Sequence, residues 1–199
     1  MVQLMISPVL DKFVKTSYVL LYDVSWEQLE QLDINLAGTG ARLTYLDSIL
    51  EIMSPLSDEH EDSKKTLAML VEVYMRTNNI RFYSRGSATL GKRENKTRRE
   101  PDESYNLGIK KSIPDLILEI TVTSGGINKL EIYKRIGIPE VWFWEDGLLS
   151  VYCLQENEYK KVDKSVLLPD LNLELLAKYS LMADQFDAVN EYIQVIKEN

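Results

Sequence analysis

With 199 residues, 45% of them hydrophobic, the chain has the size and composition of one globular domain that buries a core without disulfide or metal staples. A formal net charge of −8 argues against a general nucleic-acid binder, and one histidine, His60, with one cysteine, Cys153, excludes a His-rich or Cys-His zinc site and any intrachain disulfide. No run approaches the roughly 18 apolar residues of a membrane span, and charges interrupt the first residues where a signal peptide would be apolar, so a cytoplasmic protein with no membrane partner is expected.

Residues 25–32 (SWEQLEQL) open with a Ser-x-x-Gln capping box and predict a short helix. ARLTYLD and SILEIMS are β-rich runs that meet near Asp47 and Ser48, the pattern of a hairpin. A longer helix is predicted from 58 to about 78, with Leu67, Leu70, Val71 and Tyr74 spaced along one buried face and Glu59, His60 and Glu61 in its first turn. IRFYSR and SATLG read as strands. Between 92 and 99, five basic side chains (Lys92, Arg93, Lys96, Arg98, Arg99) face a single acid, Glu94, which predicts a positive loop immediately before EPDES. Two acid-bearing strands follow, then a short helix over 128–136 ended by Gly137 with Pro139 beyond it.

EVWFWED and LLSVYCL read as a hairpin about Asp146-Gly147, with a further strand over 159–166. Cys153, inside that alternating run, reads as a buried strand residue rather than a catalytic thiol. From Leu171 the pattern turns helical, and Phe186, Val189, Ile193 and Ile196 form an apolar stripe on an amphipathic helix at about 181–197. Neither a repeat nor a Pro/Gly/Ser-rich linker divides the chain. A single domain spanning 1–199 is therefore expected, α/β in class, with a central mixed sheet flanked by helices.

The chemistry concentrates in EPDES, IPDLILEIT and NKLEIYKRIG. Asp102 and Glu119 lie 17 residues apart, with Gly108 and Lys110-Lys111 between them to turn a hairpin, so both acids can converge on one end of a sheet. Asp115, Ile117 and Glu119 share one strand face and Leu116, Leu118 and Ile120 the other, so Glu119 projects from a strand whose opposite face is wholly apolar. An acid there needs a partner, and a hard divalent cation is one candidate. Phosphodiester hydrolysis needs negative charge stabilised and hydroxide supplied near neutral pH; Mg²⁺ or Mn²⁺ does both. Lys129 begins the next helix and completes a kit for a metal-dependent nuclease acting on duplex DNA, with Lys92, Arg93, Lys96, Arg98 and Arg99 as candidate DNA contacts. The alternative for that basic run is an ordinary solvated loop.

The order EPDES, PDLILEI, K-x-x-x-Y and GIPEVW, with RLTYLDSILEIMSPLSDEHE and Gly86-Ser87 upstream, resembles the bacterial Uma-two family of restriction endonucleases, within the PD-(D/E)-x-K nuclease superfamily, over roughly residues 25–155. The resemblance implies a restriction-endonuclease-like fold. It matches Asp102 to the Asp of the first PD and Glu119 to the acid of E-x-K, and implies the backbone carbonyl of Ile120 as a third metal ligand. Where E-x-K places lysine this chain has Thr121, and Lys129 stands where the family keeps a displaced lysine. His60 or Glu61, in a segment similar to the family's S-x-E-H, is an accessory candidate, with a plain helix-opening turn as the alternative.

Asp115, after Pro114, reads as a turn residue with metal contact as the alternative, and Tyr133 and Trp142 read as core packing. Ser124 with Gly125-Gly126 is a weak candidate for an anion-binding loop. Two other classes compete with the nuclease: a catalytically degenerate scaffold that binds DNA or a protein partner, favoured by Thr121, and a homodimeric module built on the C-terminal helix.

Overall fold

The computed structural model describes residues 4–7, 18–55, 58–120 and 126–198; Thr121, Ser124, Gly125 and the side chain of His60 lie outside what is described. In chain order the elements are β1 (Leu4–Ser7), β2 (Tyr18–Leu21), α1 (Trp26–Asn35), β3 (Arg42–Leu46), β4 (Ile49–Met53), α2 (Asp58–Thr77), β5 (Phe82–Ser84), β6 (Leu90–Lys92), a 3-10 turn (Arg93–Asn95), β7 (Thr97–Arg99) and β8 (Glu103–Leu107). They continue as β9 (Leu116–Ile120), α3 (Lys129–Ile136), β10 (Glu140–Glu145), β11 (Leu148–Gln155), β12 (Glu158–Val162), α4 (Leu173–Ser180) and α5 (Gln185–Glu198). The class is α/β.

The expected mixed sheet has the order β12-β11-β10-β9-β8-β5. Only β9 and β10 run parallel, with Leu116 opposite Glu140, because α3 carries the chain between them as a crossover; the other neighbours are antiparallel. Asn128 caps α3 by accepting from the Glu131 N–H, and Gly137, at φ 85°, ends it in the left-handed region that a glycine enters without steric cost. Asp146 and Gly147, both at positive φ, make the tight turn expected between β10 and β11. Ser25 and Gln28 form the capping box of α1.

One expectation needs correction. A second, wholly antiparallel sheet of order β1-β2-β4-β3-β7-β6 packs beside the mixed one, and both SATLG and the basic run belong to it. The basic stretch is not a loop. Lys96, in the left-handed region, turns the chain so that β6 and β7 form a hairpin, and β7 pairs with β3 through Tyr45 and Arg98. That pairing turns alternate side chains of the run inward.

β9 is buried along its whole length. Leu116, Leu118 and Ile120 join Leu67, Leu70, Val71 and Tyr74 of α2 and Trp142 of β10 in the main core, whereas Ile117 packs with Tyr133, Ile138 and Val141 on the α3 side. By alternation Glu119 belongs to the α3 side, within an apolar layer.

The expected C-terminal helix is α5, preceded by the short α4, and its apolar face is rotated from the expected stripe. Ala188 and Tyr192 are buried, with Val189, Val195 and Ile196 packed against the core, while Phe186 is 76% exposed. Most of this face packs against the rest of the domain, which leaves Phe186 as the exposed member of the expected stripe.

Cys153 is buried on β11, with its thiol on the Glu140 carboxylate at 3.2 Å. Burial, and then Glu140 beside it, push that thiol up to about 12. Iodoacetamide is therefore expected to label Cys153 only in denaturant; labelling of the folded chain at the rate of a free thiol would show that the β11 environment is open.

Candidate active site

The β8–β9 ladder sets Glu103 opposite Leu118 and Ser104 opposite Ile117. Asp102, one residue before β8, is thereby brought to the end of β9 that carries Glu119, and its Oδ2 accepts the Ile120 N–H at 2.7 Å. The two acids expected to converge do so.

Four donors surround the Glu119 carboxylate, which is fully buried. Arg99, the last residue of β7, grips it with both edges of a fork, Nε to Oε1 at 2.7 Å and Nη2 to Oε2 at 2.6 Å. The Tyr133 hydroxyl donates to Oε1, and the Lys129 ammonium lies 3.2 Å from Oε2. Arg99 also donates from Nη1 to Thr44 Oγ1 at 2.7 Å and from Nε to the Tyr133 oxygen at 3.1 Å. Arg42 on β3 completes the cluster, with Nη1 on Asp102 Oδ1 at 2.5 Å and Nη2 on the Glu100 carbonyl. Two acids are therefore matched by three cations. Lys129 and Arg42, with side chains 11% and 17% exposed, are the members nearest solvent.

The electrostatics follow from this enclosure. Burial alone would raise the Glu119 carboxyl, but the Arg99 and Lys129 charges override it and hold the group well below the usual carboxylate range. Burial and then Glu119 push the Tyr133 phenol far upward. Burial lowers Lys129 despite the opposing pull of Glu119, and Arg99 adds to the lowering.

Other expected residues fall elsewhere. Asp115 precedes the opposite end of β9, about 13 Å along the strand from Glu119 at ~3.3 Å per residue. There it clasps the β8–β9 turn, accepting from the Leu107 N–H and pairing with Lys111 at 2.6 Å, so its reading as a turn residue stands and metal contact does not. Glu61 pairs with Lys64 in the first turns of α2. Of the basic run, Arg99 is 3% exposed and serves Glu119, which removes it as a surface DNA contact. Arg98 is largely covered and pairs with Asp33 at 2.8 Å. Arg93 is exposed but shared between Glu27 and Glu30, at 2.8 and 3.6 Å. Lys92 and Lys96 remain exposed.

Arg42 and Thr44 were not legible as site residues, and Tyr133 read as core packing. The spacing held a usable signal: Tyr133 stands four residues after Lys129, so both side chains lie on one face of α3. Trp142 is core, as expected, with its indole N–H on Glu140 at 2.6 Å.

A mixed sheet with an acid at the foot of each of two adjoining antiparallel strands, followed by a helical crossover to a parallel strand, is a restriction-endonuclease-like architecture. The model of the Uma2 family, described as "Putative restriction endonuclease", matches residues 26–183, and the chain belongs to that family. No curated protein matches the chain.

The Glu119 network makes a prediction about stability. Because the folded carboxyl lies below its ordinary value of 4.5, it contributes stability that is fully present above that value and is lost as the pH falls toward the folded one. Glu119→Gln is expected to cost about 3 kcal/mol or more near pH 7, since it leaves Arg99 buried without its counter-charge. The deficit should narrow at about pH 3, where the unfolded parent takes up a proton on this carboxyl while the folded parent keeps it ionised. Urea unfolding at both pH values measures this, and a variant as stable as the parent near neutrality would remove the ion pair from the account of the fold.

Proposed function

We propose that the chain is a Mg²⁺- or Mn²⁺-dependent endonuclease acting on duplex DNA, with Asp102 and Glu119 as metal-binding carboxylates, the Ile120 carbonyl as a further ligand and Lys129 as the catalytic cation. The observation that carries this reading is the convergence of Asp102, Glu119 and Lys129, from two strands and a helix, at one end of the mixed sheet. Two carboxylates and a carbonyl are hard oxygen donors of the kind such ions take. Among the described residues no group of three or more His, Cys, Asp or Glu side chains could hold a metal ion, so backbone oxygen and water would have to complete the set. When bound, the ion supplies Lewis acidity and a nucleophilic hydroxide near neutral pH.

The chain's own residues supply the rest. Tyr133 holds one oxygen of the Glu119 carboxylate, and the Ile120 N–H fixes one oxygen of Asp102. Lys129, 3.2 Å from Glu119, would stabilise charge developing on the phosphoryl oxygens of a phosphodiester bound at the acids. Arg42 can add a second contact to the same phosphate. Lys92 and Lys96 offer the exposed positive charge of the original basic run to the DNA backbone.

A second reading has its own observation. Arg99, Lys129 and Tyr133 already engage both oxygens of Glu119, as they would in a catalytically degenerate scaffold that binds DNA or a protein partner without cutting. No helix among the described residues is long and apolar enough to cross a membrane, and we keep the cytoplasm as the proposed compartment.

Cleavage or nicking of duplex DNA should require Mg²⁺ or Mn²⁺ and stop with EDTA. Asp102→Asn is the cleaner test of the acids, because Asn keeps an oxygen for the Ile120 N–H whereas Glu119→Gln strands Arg99; undiminished cutting by folded Asp102→Asn would eliminate the site. Lys129→Ala is expected to lower turnover by about 10²-fold, the usual cost of one transition-state charge contact, with Lys129→Arg rescuing little because a planar guanidinium cannot occupy the same position. The double variant Lys92→Ala, Lys96→Ala should bind DNA more weakly and with a shallower dependence on salt, since fewer counterions are released; an unchanged slope would place the DNA contact elsewhere.

A further inference from the structure

A carboxylate offers about four lone-pair positions, and here each oxygen of Glu119 carries two donors: Arg99 Nε and Tyr133 on Oε1, Arg99 Nη2 and Lys129 on Oε2. A divalent cation needs at least one of those oxygens as a ligand, so it cannot bind Glu119 without displacing a donor. The three residues that supply these four donors are not equivalent. Tyr133 is held by a ring buried among Ile117, Ile138 and Val141. Lys129 takes one position only. Arg99 takes two, one on each oxygen, and its charge acts on Asp102 as well as on Glu119, which is where a cation shared by both acids would act. Adding a divalent ion beside three retained cations would also place a large unbalanced positive charge in a buried site.

We propose that Arg99 is a resident stand-in for the metal: its guanidinium and a divalent cation compete for the Glu119 oxygens, and metal binding is an exchange in which Arg99 lets go of the carboxylate. Thr44, which accepts from Arg99 Nη1, is the anchor that holds the closed arrangement. Arg99 is thus a positioning residue that sets metal affinity. This inference rests on the metal-binding reading of the acid pair, and its test separates the two.

Calorimetric titration of the full chain with Mn²⁺ alone compares the parent with Arg99→Gln, Thr44→Val and Asp102→Asn, each checked for folding by circular dichroism. Arg99→Gln is expected to bind Mn²⁺ about tenfold tighter than the parent or more, in line with an ordinary coupling between competing ligands, while Asp102→Asn loses the binding. Thr44→Val removes only the anchor and should shift affinity in the same direction by less. Equal affinity of parent and Arg99→Gln, with binding still lost in Asp102→Asn, would overturn the exchange and leave the metal site standing. Failure of both parent and Arg99→Gln to bind Mn²⁺ in an Asp102-dependent way would remove the metal site, and the exchange with it.

Should Arg99→Gln not fold, the parent itself gives the answer through the side-chain Nε–H resonance of Arg99 followed during titration with Mg²⁺. That resonance should move with the same midpoint as the binding heat. A resonance unmoved at saturation would show that Arg99 stays on Glu119, and the proposal would fail.

Discussion

The fold and the site both depend on one constraint, that a fully buried carboxylate on the inner face of β9 must be compensated. Burying an isolated charge costs several kcal/mol even after relaxation, and breaking a buried pair by removing one partner costs about 3–5 kcal/mol. Glu119 meets that demand by drawing three partners from two elements: Arg99 from the antiparallel sheet, and Lys129 and Tyr133 from α3. One side chain therefore links the two sheets and the crossover helix. A bidentate Arg–carboxylate pair is directional as well as strong, so it also fixes how β7 lies over β9.

Other buried acids show what distinguishes this one. Glu140 on β10 is equally hidden, but it is satisfied by neutral donors: the Trp142 indole, the Ser165 hydroxyl, the backbone N–H groups of Val166 and Leu167, and the Cys153 thiol. Glu51 likewise receives the Gly126 N–H. Those arrangements pin segments of chain in place and stay buried. Glu119 is instead surrounded by cations, Arg99 and Lys129, both of which also feel the charge of the second acid, Asp102. Neutral donors satisfy Glu140 and Glu51, whereas Glu119 is satisfied chiefly by charge.

Much of this was legible in the sequence, for identifiable reasons. α1, α2 and α3 could be placed because capping residues and helical spacing are local signals, and the Asp47-Ser48 and Asp146-Gly147 turns because tight hairpins demand positive φ at their centres. Asp102 and Glu119 could be paired because strand alternation and one hairpin suffice to bring them together. The second sheet was not legible, since the pairing of β7 with β3 joins residues more than fifty positions apart and leaves no periodic trace. Arg99 was misplaced for that reason: as part of a charge run it reads as surface, and only the register of β7 turns it inward. Phe186 was misassigned because a helical stripe fixes a face without saying where the domain will meet it.

The charge pattern gains its meaning only from this three-dimensional sorting. In sequence, the acidic total and the basic run pull in opposite directions. In space, α1 supplies Glu27, Glu30 and Asp33 to Arg93 and Arg98, so much of the basic run is spent on holding the β6–β7 hairpin against the first helix. Arg99 is spent on Glu119. The remaining positive charge is then small and local: Lys92, beside Glu94, and Lys96 on the hairpin, with Arg42 and Lys129 each paired with an acid of the site. A surface so arranged cannot hold DNA by broad electrostatic attraction, because the rest of an acidic molecule repels it. Of these four cations only Arg42 and Lys129 lie at the acid pair itself.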